Sequence, residues 1–334
     1  MSASVRGGKS APRISIREAQ REDLDCPRLL DDYFRSAAPG IGRELETTAM
    51  QRILQRASQA CGWSCFLGQA EEDAIGCLLV EDRPWDTDIL SVRTKNLTLL
   101  VSASDRHLRR EIGSDLLRNC LPEQATRERE YLVVRIPADD VPLLRALEER
   151  GFGVLVPMVT LGKNNTEHVD VVVPAGIEIS NVCEPEVKQV QSIAANAFKW
   201  GRFSADPGVL PEASQKLHGE WAANCCKGSQ AELVLVARRR SQVLGFVALK
   251  SSMVREMRVG CIELIAVSET CQGLGIGRAL LQTACNWFVE FSEHMVVRTE
   301  LPNTAAIRLY ESQDFKVLNG SLYLSMWRSP VAAE

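Results

Sequence analysis

The sequence predicts a mixed α/β fold in which two tandem halves repeat one design. Apolar runs of strand length alternate with segments whose apolar residues recur at helical spacing. The order strand, turn and helix, strand, helix, Phe corner and strand occurs over residues 95–162 and again from residue 261 onward. An internal repeat of this kind indicates two copies of one supersecondary pattern, each with helices packed on a mixed sheet.

The elements of the first half follow one another closely. We predict strands at residues 95–101, 131–136 and 153–162, with helices at residues 108–117 and 143–152 between them. In the second half an aperiodic loop at residues 199–207 separates two helices. The predicted elements there are strands at residues 177–180, 232–238, 242–249, 261–267 and 295–301, and helices at residues 185–198 and 211–226. A glycine turn followed by a helix is predicted within residues 272–281, and a helix followed by a Phe corner within residues 304–315.

The boundary between the halves is predicted from a change in composition. Residues 163–168 are polar and turn-like, and Pro174 precedes a fresh strand. We therefore predict a flexible tail at residues 1–12, a first domain at residues 13–162, a linker at residues 163–173 and a second domain at residues 174–328.

Composition limits the classes of function. The 334 residues are 45% hydrophobic and 25% charged, as in soluble globular proteins, and the formal net charge is -4. The small negative charge gives no reason to expect a nucleic-acid partner, and no apolar run reaches the roughly 18 residues of a membrane span. The N-terminus lacks the apolar core of a secretory signal. We interpret the cysteines as reduced thiols and expect a cytoplasmic protein. Eleven cysteines and four histidines show no zinc-site spacing, and we expect no metal.

The most informative motif is a glycine turn that follows the strand at residues 261–267. Its glycines leave successive backbone N–H groups uncovered at a helix N-terminus, an arrangement that binds phosphate. The turn lacks the Lys-Ser/Thr of an ATP-type P-loop and the dinucleotide spacing Gly-x-Gly-x-x-Gly. It therefore predicts a pyrophosphate ligand other than ATP or NAD, the alternative being a plain strand-to-helix connector. Its residues are Gln272, Gly273, Gly275, Gly277 and Arg278.

A second motif follows at the expected separation. After the strand at residues 295–301, the pattern Asn-x-x-Ala begins at Asn303 and opens a helix that ends in Leu-Tyr, with Asp314 where a corner glycine is usual. The two motifs together resemble the GNAT superfamily of acyl-CoA N-acyltransferases. The resemblance implies tandem GNAT folds and acetyl-CoA as co-substrate, with its pyrophosphate on the glycine turn. It also implies that the pantetheine arm lies beside Ile265 and Val267.

The resemblance implies that a free amine attacks the thioester while Tyr310 protonates the departing thiolate. Tyr310 could instead be a core aromatic of its helix. Glu263 is the nearest carboxylate to act as general base, unless it is an outward-facing strand residue; His218 and Asp206 are weaker candidates. Asn303 could hold the pantetheine or cap the helix.

The acceptor is predicted from a more specific resemblance. The loop at residues 199–207, followed by a helix that ends in Trp221-x-x-Asn224, is similar to the TDP-fucosamine acetyltransferase group. This implies a small-molecule amine acceptor, a nucleotide-linked amino sugar, bound by Arg202, Phe203 and Asp206. The alternatives are a peptide or another metabolite as acceptor, or an acyl-CoA sensor without turnover. The sequence does not decide the oligomeric state, and a homodimer stays open.

The first half keeps the order of elements but not the chemistry of the site. At the positions of Gln272, Gly273, Gly275 and Tyr310 it has Leu108, Arg109, Glu111 and Leu147. A carboxylate beside a pyrophosphate is repulsive, and side chains cover the backbone donors. We therefore predict a degenerate copy that binds no CoA and helps to form the acceptor site. The loop at residues 202–207 and a turn at residues 85–90 are expected to line a cleft between the halves.

Overall fold

The computed structural model describes residues 14–24, 29, 30, 33, 40–70, 73–121 and 128–330. The predicted tail at residues 1–12 lies outside the described residues. The strands of the described part form one mixed sheet. They are β1 (Ile14–Glu18), β2 (Trp63–Ala70), β3 (Asp73–Asp82), β4 (Arg93–Val101), β5 (Glu130–Pro137), β6 (Gly153–Asn164), β7 (Glu178–Asn181), β8 (Leu233–Arg239), β9 (Gln242–Val254), β10 (Met257–Val267), β11 (His294–Glu300) and β12 (Lys316–Arg328).

Helices cover both faces of this sheet. In chain order, the described α-helices with full bounds are α1 (Ile41–Gln59), α2 (Pro84–Leu90), α3 (Arg106–Cys120), α4 (Val141–Glu149), α5 (Val187–Ala197), α6 (Arg202–Ala205), α7 (Pro211–Cys226), α8 (Ile276–Val289) and α9 (Thr304–Glu311). Short 3-10 turns lie at Arg21–Leu24, Glu184–Glu186 and Glu269–Cys271.

The predicted α/β class and the repeated order of elements are confirmed, but two local predictions are wrong. The expected turn at residues 85–90 is the helix α2, which begins at Pro84, and proline suits the first turn of a helix because its fixed φ is already helical. The loop at residues 199–207 contains the single helical turn α6. The first two residues of the predicted linker, 163 and 164, end β6; the division into domains stays a prediction.

The two halves exchange their last strands. The sheet order is β1-β2-β3-β4-β5-β12-β6-β11-β10-β9-β8-β7. The last strand of the first half, β6, pairs with β11, where Leu161 lies opposite Val297. The last strand of the second half, β12, pairs with β5, where Leu324 lies opposite Val134. Each half thus completes the sheet of the other.

In each half, the two central parallel strands diverge. β4 and β5 are paired only as far as Leu97 and Val134, although both strands continue. β10 and β11 are paired only as far as Ile262 and Val297. The repeat therefore places a V-shaped opening at the same point of both halves.

A buried cluster joins the halves on one face of the sheet. Phe203 of α6 and Leu217 of α7 pack with Tyr131 and Val133 of β5. The rings of Tyr131 and Trp327 lie 4.5 Å apart in the same cluster. The α6–α7 segment of the second half therefore sits directly over the sheet of the first half.

Candidate active site

The opening between β10 and β11 is a cleft of about 910 Å³. At its inner end β10 carries a bulge at Glu263, because the pairing with β9 passes from Ile262 directly to Leu264. The divergence of the strands leaves their facing backbone groups free to pair with an extended ligand.

Most of the predicted site residues meet in this cleft. Those that line it are Ile265, Val267, Gln272, Gly273, Gly275, Gly277, Arg278, Asn303 and Tyr310. Phe198, Lys199 and Trp200, which follow α5, also line the cleft.

The glycine turn forms an anion cradle on the wall of the cleft. Gly273 and Gly275 have φ values of 77° and 82°, in the left-handed region that favours glycine. Gly275 is the N-cap residue of α8, and no side chain caps the helix there. A Cβ on Gly273 would meet no described atom within 4 Å. The first-turn N–H groups and the positive end of the helix dipole therefore face open space.

Tyr310 is both a core residue and a wall of the cleft. Its side chain is buried, with its ring centroid 5.9 Å from that of Phe315, and the residue also lines the cleft. Burial, and then the charge of Glu300, raise the pKa of Tyr310 above its ordinary value. The phenol is therefore protonated at neutral pH and can donate a hydrogen bond into the cleft.

Asn303 caps α9. Its Oδ1 accepts a hydrogen bond from the backbone N–H of Ala306 at 3.3 Å, and its Nδ2 donates to Thr299 Oγ1 at 3.3 Å. Of the two roles predicted for Asn303, the structure shows the cap; contact with pantetheine stays a prediction.

Glu263 lies at the bulge and is not part of the cleft lining. Burial raises the pKa of Glu263, against the opposing charges of Lys250 and Arg298. The role of Glu263 as general base stays a prediction. Its carboxylate lies near two cations, Lys250 and Arg298.

Two further titratable residues, His218 and Glu300, lie close to Gly201 beside the cleft. A Cβ on Gly201 would lie 3.1 Å from His218 Nε2 and 3.6 Å from Glu300 Oε1. His218 is buried in α7, and its Nδ1 lies 2.8 Å from the backbone carbonyl of Ser214, to which it donates, so Nε2 carries the free lone pair of the neutral ring. Burial lowers the pKa of His218, and Arg202 contributes in the same direction.

Sequence reasoning ranked His218 low and missed Glu300. Burial raises the pKa of Glu300, which ends β11 on the C-terminal side of the splayed strands. The available signal was its position at the end of the strand, two residues before the Pro302-Asn303 pair that opens α9.

The three predicted acceptor residues separate into two places. Arg202 and Phe203 line a cavity of about 160 Å³ at the junction of the halves, together with Asp86 of α2. Asp206 is buried outside that cavity lining: it accepts hydrogen bonds from Ser325 Oγ at 2.7 Å and from Trp327 Nε1 at 3.0 Å. This geometry gives Asp206 an anchoring role between α6 and β12, and its contact with the acceptor stays a prediction.

The equivalent opening of the first half is filled. At the N-terminus of α3, the carboxylate of Asp105 accepts from the N–H of Leu108 at 2.8 Å. Arg109 pairs with Asp140 at 2.6 Å and also donates to the carbonyl of Val101. The ion pair spans the gap between the diverging strands β4 and β5.

Comparison with known proteins places the second half in a family. Residues 197–315 match the model of the acetyltransferase (GNAT) family. The chain is 25% identical over 255 residues to the spore coat polysaccharide biosynthesis protein SpsD of Bacillus subtilis (strain 168), covering 75% of this chain and 84% of the relative. It is 28% identical over 180 residues to a dTDP-fucosamine acetyltransferase of Escherichia coli O6:H1, covering 53% of this chain and 72% of the relative. The chain therefore carries a GNAT acetyltransferase domain, and the protein is an acyltransferase.

Solved structures extend the likeness in fold to the whole chain. A GCN5-related N-acetyltransferase from Sphaerobacter thermophilus has a TM-score of 0.65 at 14% identity, with 96% of this chain and 98% of that chain covered. A tandem GNAT protein from the clavulanic acid biosynthesis pathway has a TM-score of 0.61 at 10% identity, with 96% and 100% covered. At such identities the likeness establishes the tandem GNAT fold alone.

Within the described residues, no group of three or more His, Cys, Asp or Glu side chains is placed to hold a metal ion. Among the described helices, none has the length and apolar character needed to cross a membrane.

Proposed function

We propose that the protein transfers an acetyl group from acetyl-CoA to a primary amine of a small molecule, with a nucleotide-activated amino sugar as the acceptor. The observation that carries the proposal is the uncapped N-terminus of α8, which opens onto the same cleft as Tyr310. The acceptor class is supported by the names of the two relatives, a dTDP-fucosamine acetyltransferase and a spore coat polysaccharide biosynthesis protein.

The cleft residues fit acetyl-CoA. The open amides of residues 273–278 would hold its pyrophosphate, because a helix N-terminus with uncovered N–H groups favours anions. The N–H of Gln272 instead donates to the Glu269 carbonyl at 3.4 Å. Ile265 and Val267 line the cleft from the strand that leads to this turn and would flank the pantetheine arm. Bound there, acetyl-CoA supplies an activated thioester carbonyl.

The protons of the reaction have identifiable carriers. The attacking amine nitrogen bonds to the carbonyl carbon, and its proton passes to a base. His218 Nε2 suits this role, since the ring is neutral and its other nitrogen donates to the Ser214 carbonyl. Glu263 is the alternative base; neither residue is part of the cleft lining, and Glu263 differs from His218 in lying near two cations, Lys250 and Arg298. As the C–S bond breaks, Tyr310 donates its proton to the leaving sulfur.

The assay that tests this proposal measures thiol release from acetyl-CoA by the full chain. Three acceptors are compared: a dTDP-linked amino sugar, the same amino sugar without its nucleotide, and a peptide with a free N-terminus. We expect the highest kcat/KM with the nucleotide-linked sugar. A preference for the peptide would support the peptide-acceptor alternative. CoA binding without turnover on any amine would favour the sensor.

A further inference from the structure

Four cationic side chains and one carboxylate, that of Asp86, line the cavity between the halves. Its volume is about 160 Å³, and both halves contribute to its lining. Arg83, Lys95 and Arg135 come from the first half and Arg202 from the second. The hydroxyl and amide groups of Thr94, Asn96 and Thr98 also line it.

Arg202 differs from the other cations of this cavity. Arg135 pairs with Glu46 at 2.8 Å, Lys95 with Glu130 at 2.6 Å, and Arg83 with Asp86 at 3.2 Å.

Within the described part of the chain, no carboxylate forms an ion pair with Arg202. Its guanidinium instead lies over two aromatic rings, 4.6 Å from the centroid of Phe203 and 5.1 Å from that of Tyr323. The rings fix the guanidinium while its N–H donors stay free.

The pKa of Tyr323 is affected by the positive charges around it. Burial alone would raise the pKa of Tyr323, but the guanidinium groups of Arg202, Arg135 and Arg298 together outweigh it. The pKa of this buried phenol therefore lies below its ordinary value. The three guanidinium groups thus favour a negative charge at Tyr323, which lines the cavity.

The cavity also has a defined position relative to the proposed chemistry. Arg202 directly follows Gly201, whose Cβ position lies 3.1 Å from His218 Nε2 and 3.6 Å from Glu300 Oε1. Glu300 in turn influences Tyr310 electrostatically at the cleft. The free guanidinium and the candidate base are thus about one side chain apart.

We infer that this junction cavity, with Arg202 as its principal donor, binds a phosphate or diphosphate group of the acceptor while the acceptor amine lies at Gly201. The inference rests on the proposed function and adds that the degenerate half supplies part of the acceptor site. The size of the cavity suits a phosphoryl group, so the rest of a nucleotide would extend outside it. Arg202 gives directional donors, whereas the charges of Arg135 and Lys95 are largely offset by their partners Glu46 and Glu130.

The direct test is a calorimetric titration of the full chain with inorganic pyrophosphate and with dTDP. Saturating CoA is present throughout, so that the glycine turn of α8 is not the site being measured. We expect one pyrophosphate or dTDP per chain, with affinity reduced by about tenfold or more in Arg202→Gln. Arg202→Lys, which keeps the charge but loses the planar donors, should give an intermediate loss. The matched control is Arg118→Gln, which removes an exposed arginine of α3 and should leave affinity unchanged.

Steady-state kinetics with the same variants then locate the anion. Arg202→Gln should raise KM for a dTDP-linked amino sugar by about tenfold or more, and leave KM for acetyl-CoA and for the free amino sugar unchanged. Pyrophosphate should inhibit the wild type competitively against the dTDP-linked acceptor. Inhibition that is not competitive would show that the ion binds elsewhere and would overturn the inference.

The failures of the two proposals are distinguishable. Acetyl transfer to the dTDP-linked sugar, with no pyrophosphate or dTDP binding to the CoA complex or equal binding by Arg202→Gln, would remove the anion subsite and leave the proposed function intact. Pyrophosphate binding that depends on Arg202, in a chain that acetylates no amine, would show the site but refute both its assignment to an acceptor and the proposed function.

Discussion

The N-terminus of α3 in the first half and that of α8 in the second occupy the same place in one design, yet only one is open. The N-terminus of α3 is capped by a side chain, because the carboxylate of Asp105 accepts a hydrogen bond from the backbone N–H of Leu108 at 2.8 Å. α8 is preceded by Gly275, which has no side chain and a φ of 82°. A carboxylate that already satisfies the helix also repels a phosphate, so the first half stabilises its helix where the second leaves a binding site.

The openings between the central strands differ in the same way. In the first half Asp140 begins α4 as its cap and also pairs with Arg109 at 2.6 Å across the gap. In the second half the cap of α9 is the neutral Asn303, and the gap remains a cleft of about 910 Å³. Both halves therefore share the backbone arrangement that creates the opening. A few side chains determine whether the opening is occupied by the protein's own side chains or remains accessible to a ligand.

The largest expected effect comes from making the second half resemble the first. Gly275→Glu introduces the residue found at Glu111, with a strained left-handed backbone and a negative charge at the cradle. We expect CoA affinity to fall by about 10³-fold, or about 4 kcal/mol, measured by calorimetry. The matched control is Gly228→Glu, because Gly228 has a φ of 79° and open surroundings away from the cleft. If both variants bound CoA as the wild type does, the cradle would be misassigned.

Tyr310→Phe tests the other difference, because the first half has Leu147 at this position. Removal of the hydroxyl should lower kcat by about 10²-fold, within the range typical of acid–base groups, with KM for acetyl-CoA little changed. The measurement is single-turnover thiol release, in which chemistry limits the rate. An unchanged rate would return Tyr310 to a purely structural role.

His218→Gln should lower kcat by about 10²-fold if His218 is the base. Burial lowers its pKa from the ordinary value of 6.5, so the neutral, basic form persists at pH 7. The wild-type kcat should therefore fall only as the pH drops below 6.5. His218→Gln should lose this acid limb. The groups that face the ring are the Ser214 carbonyl, Phe198, Arg202 and Glu300.

Glu263→Gln is the matched comparison for the base. Burial raises the pKa of Glu263, so a base role there would place an acid limb above the ordinary pKa of 4.5. If Glu263→Gln removed the limb and His218→Gln kept it, the roles would be reversed.

The smallest effect on CoA binding is expected from removing the ion pair between Arg109 and Asp140 in the first half. Arg109→Met breaks a largely buried ion pair and should lower the free energy of unfolding by about 3 kcal/mol, measured by denaturant titration. It should create no second CoA site, because Asp105 still caps α3. Gain of a second site would mean that the ion pair alone closes the first half.

The sequence predicted the repeat, most elements and the cleft residues, because these depend on local periodicity and on motifs. Gly273 and Gly275 were identifiable because a left-handed turn needs glycine. The exchange of β6 and β12 was not predicted, since the partner of a strand is set by contacts distant in sequence. For the same reason the position of Asp206 was not predicted. In the sequence Asp206 lies in a loop, but in the structure its carboxylate accepts hydrogen bonds from Ser325 and Trp327. Burial lowers the pKa of His218, and its hydrogen bond to the Ser214 carbonyl sets the tautomer that leaves Nε2 unprotonated; neither is visible in the sequence.

The central claim is that one half binds CoA and its repeat does not. The most direct test is a calorimetric titration of CoA into the full chain, together with Gly275→Glu. The account predicts one CoA per wild-type chain and an affinity about 10³-fold lower in the variant. Two CoA molecules per wild-type chain, or unchanged CoA affinity in Gly275→Glu, would contradict it.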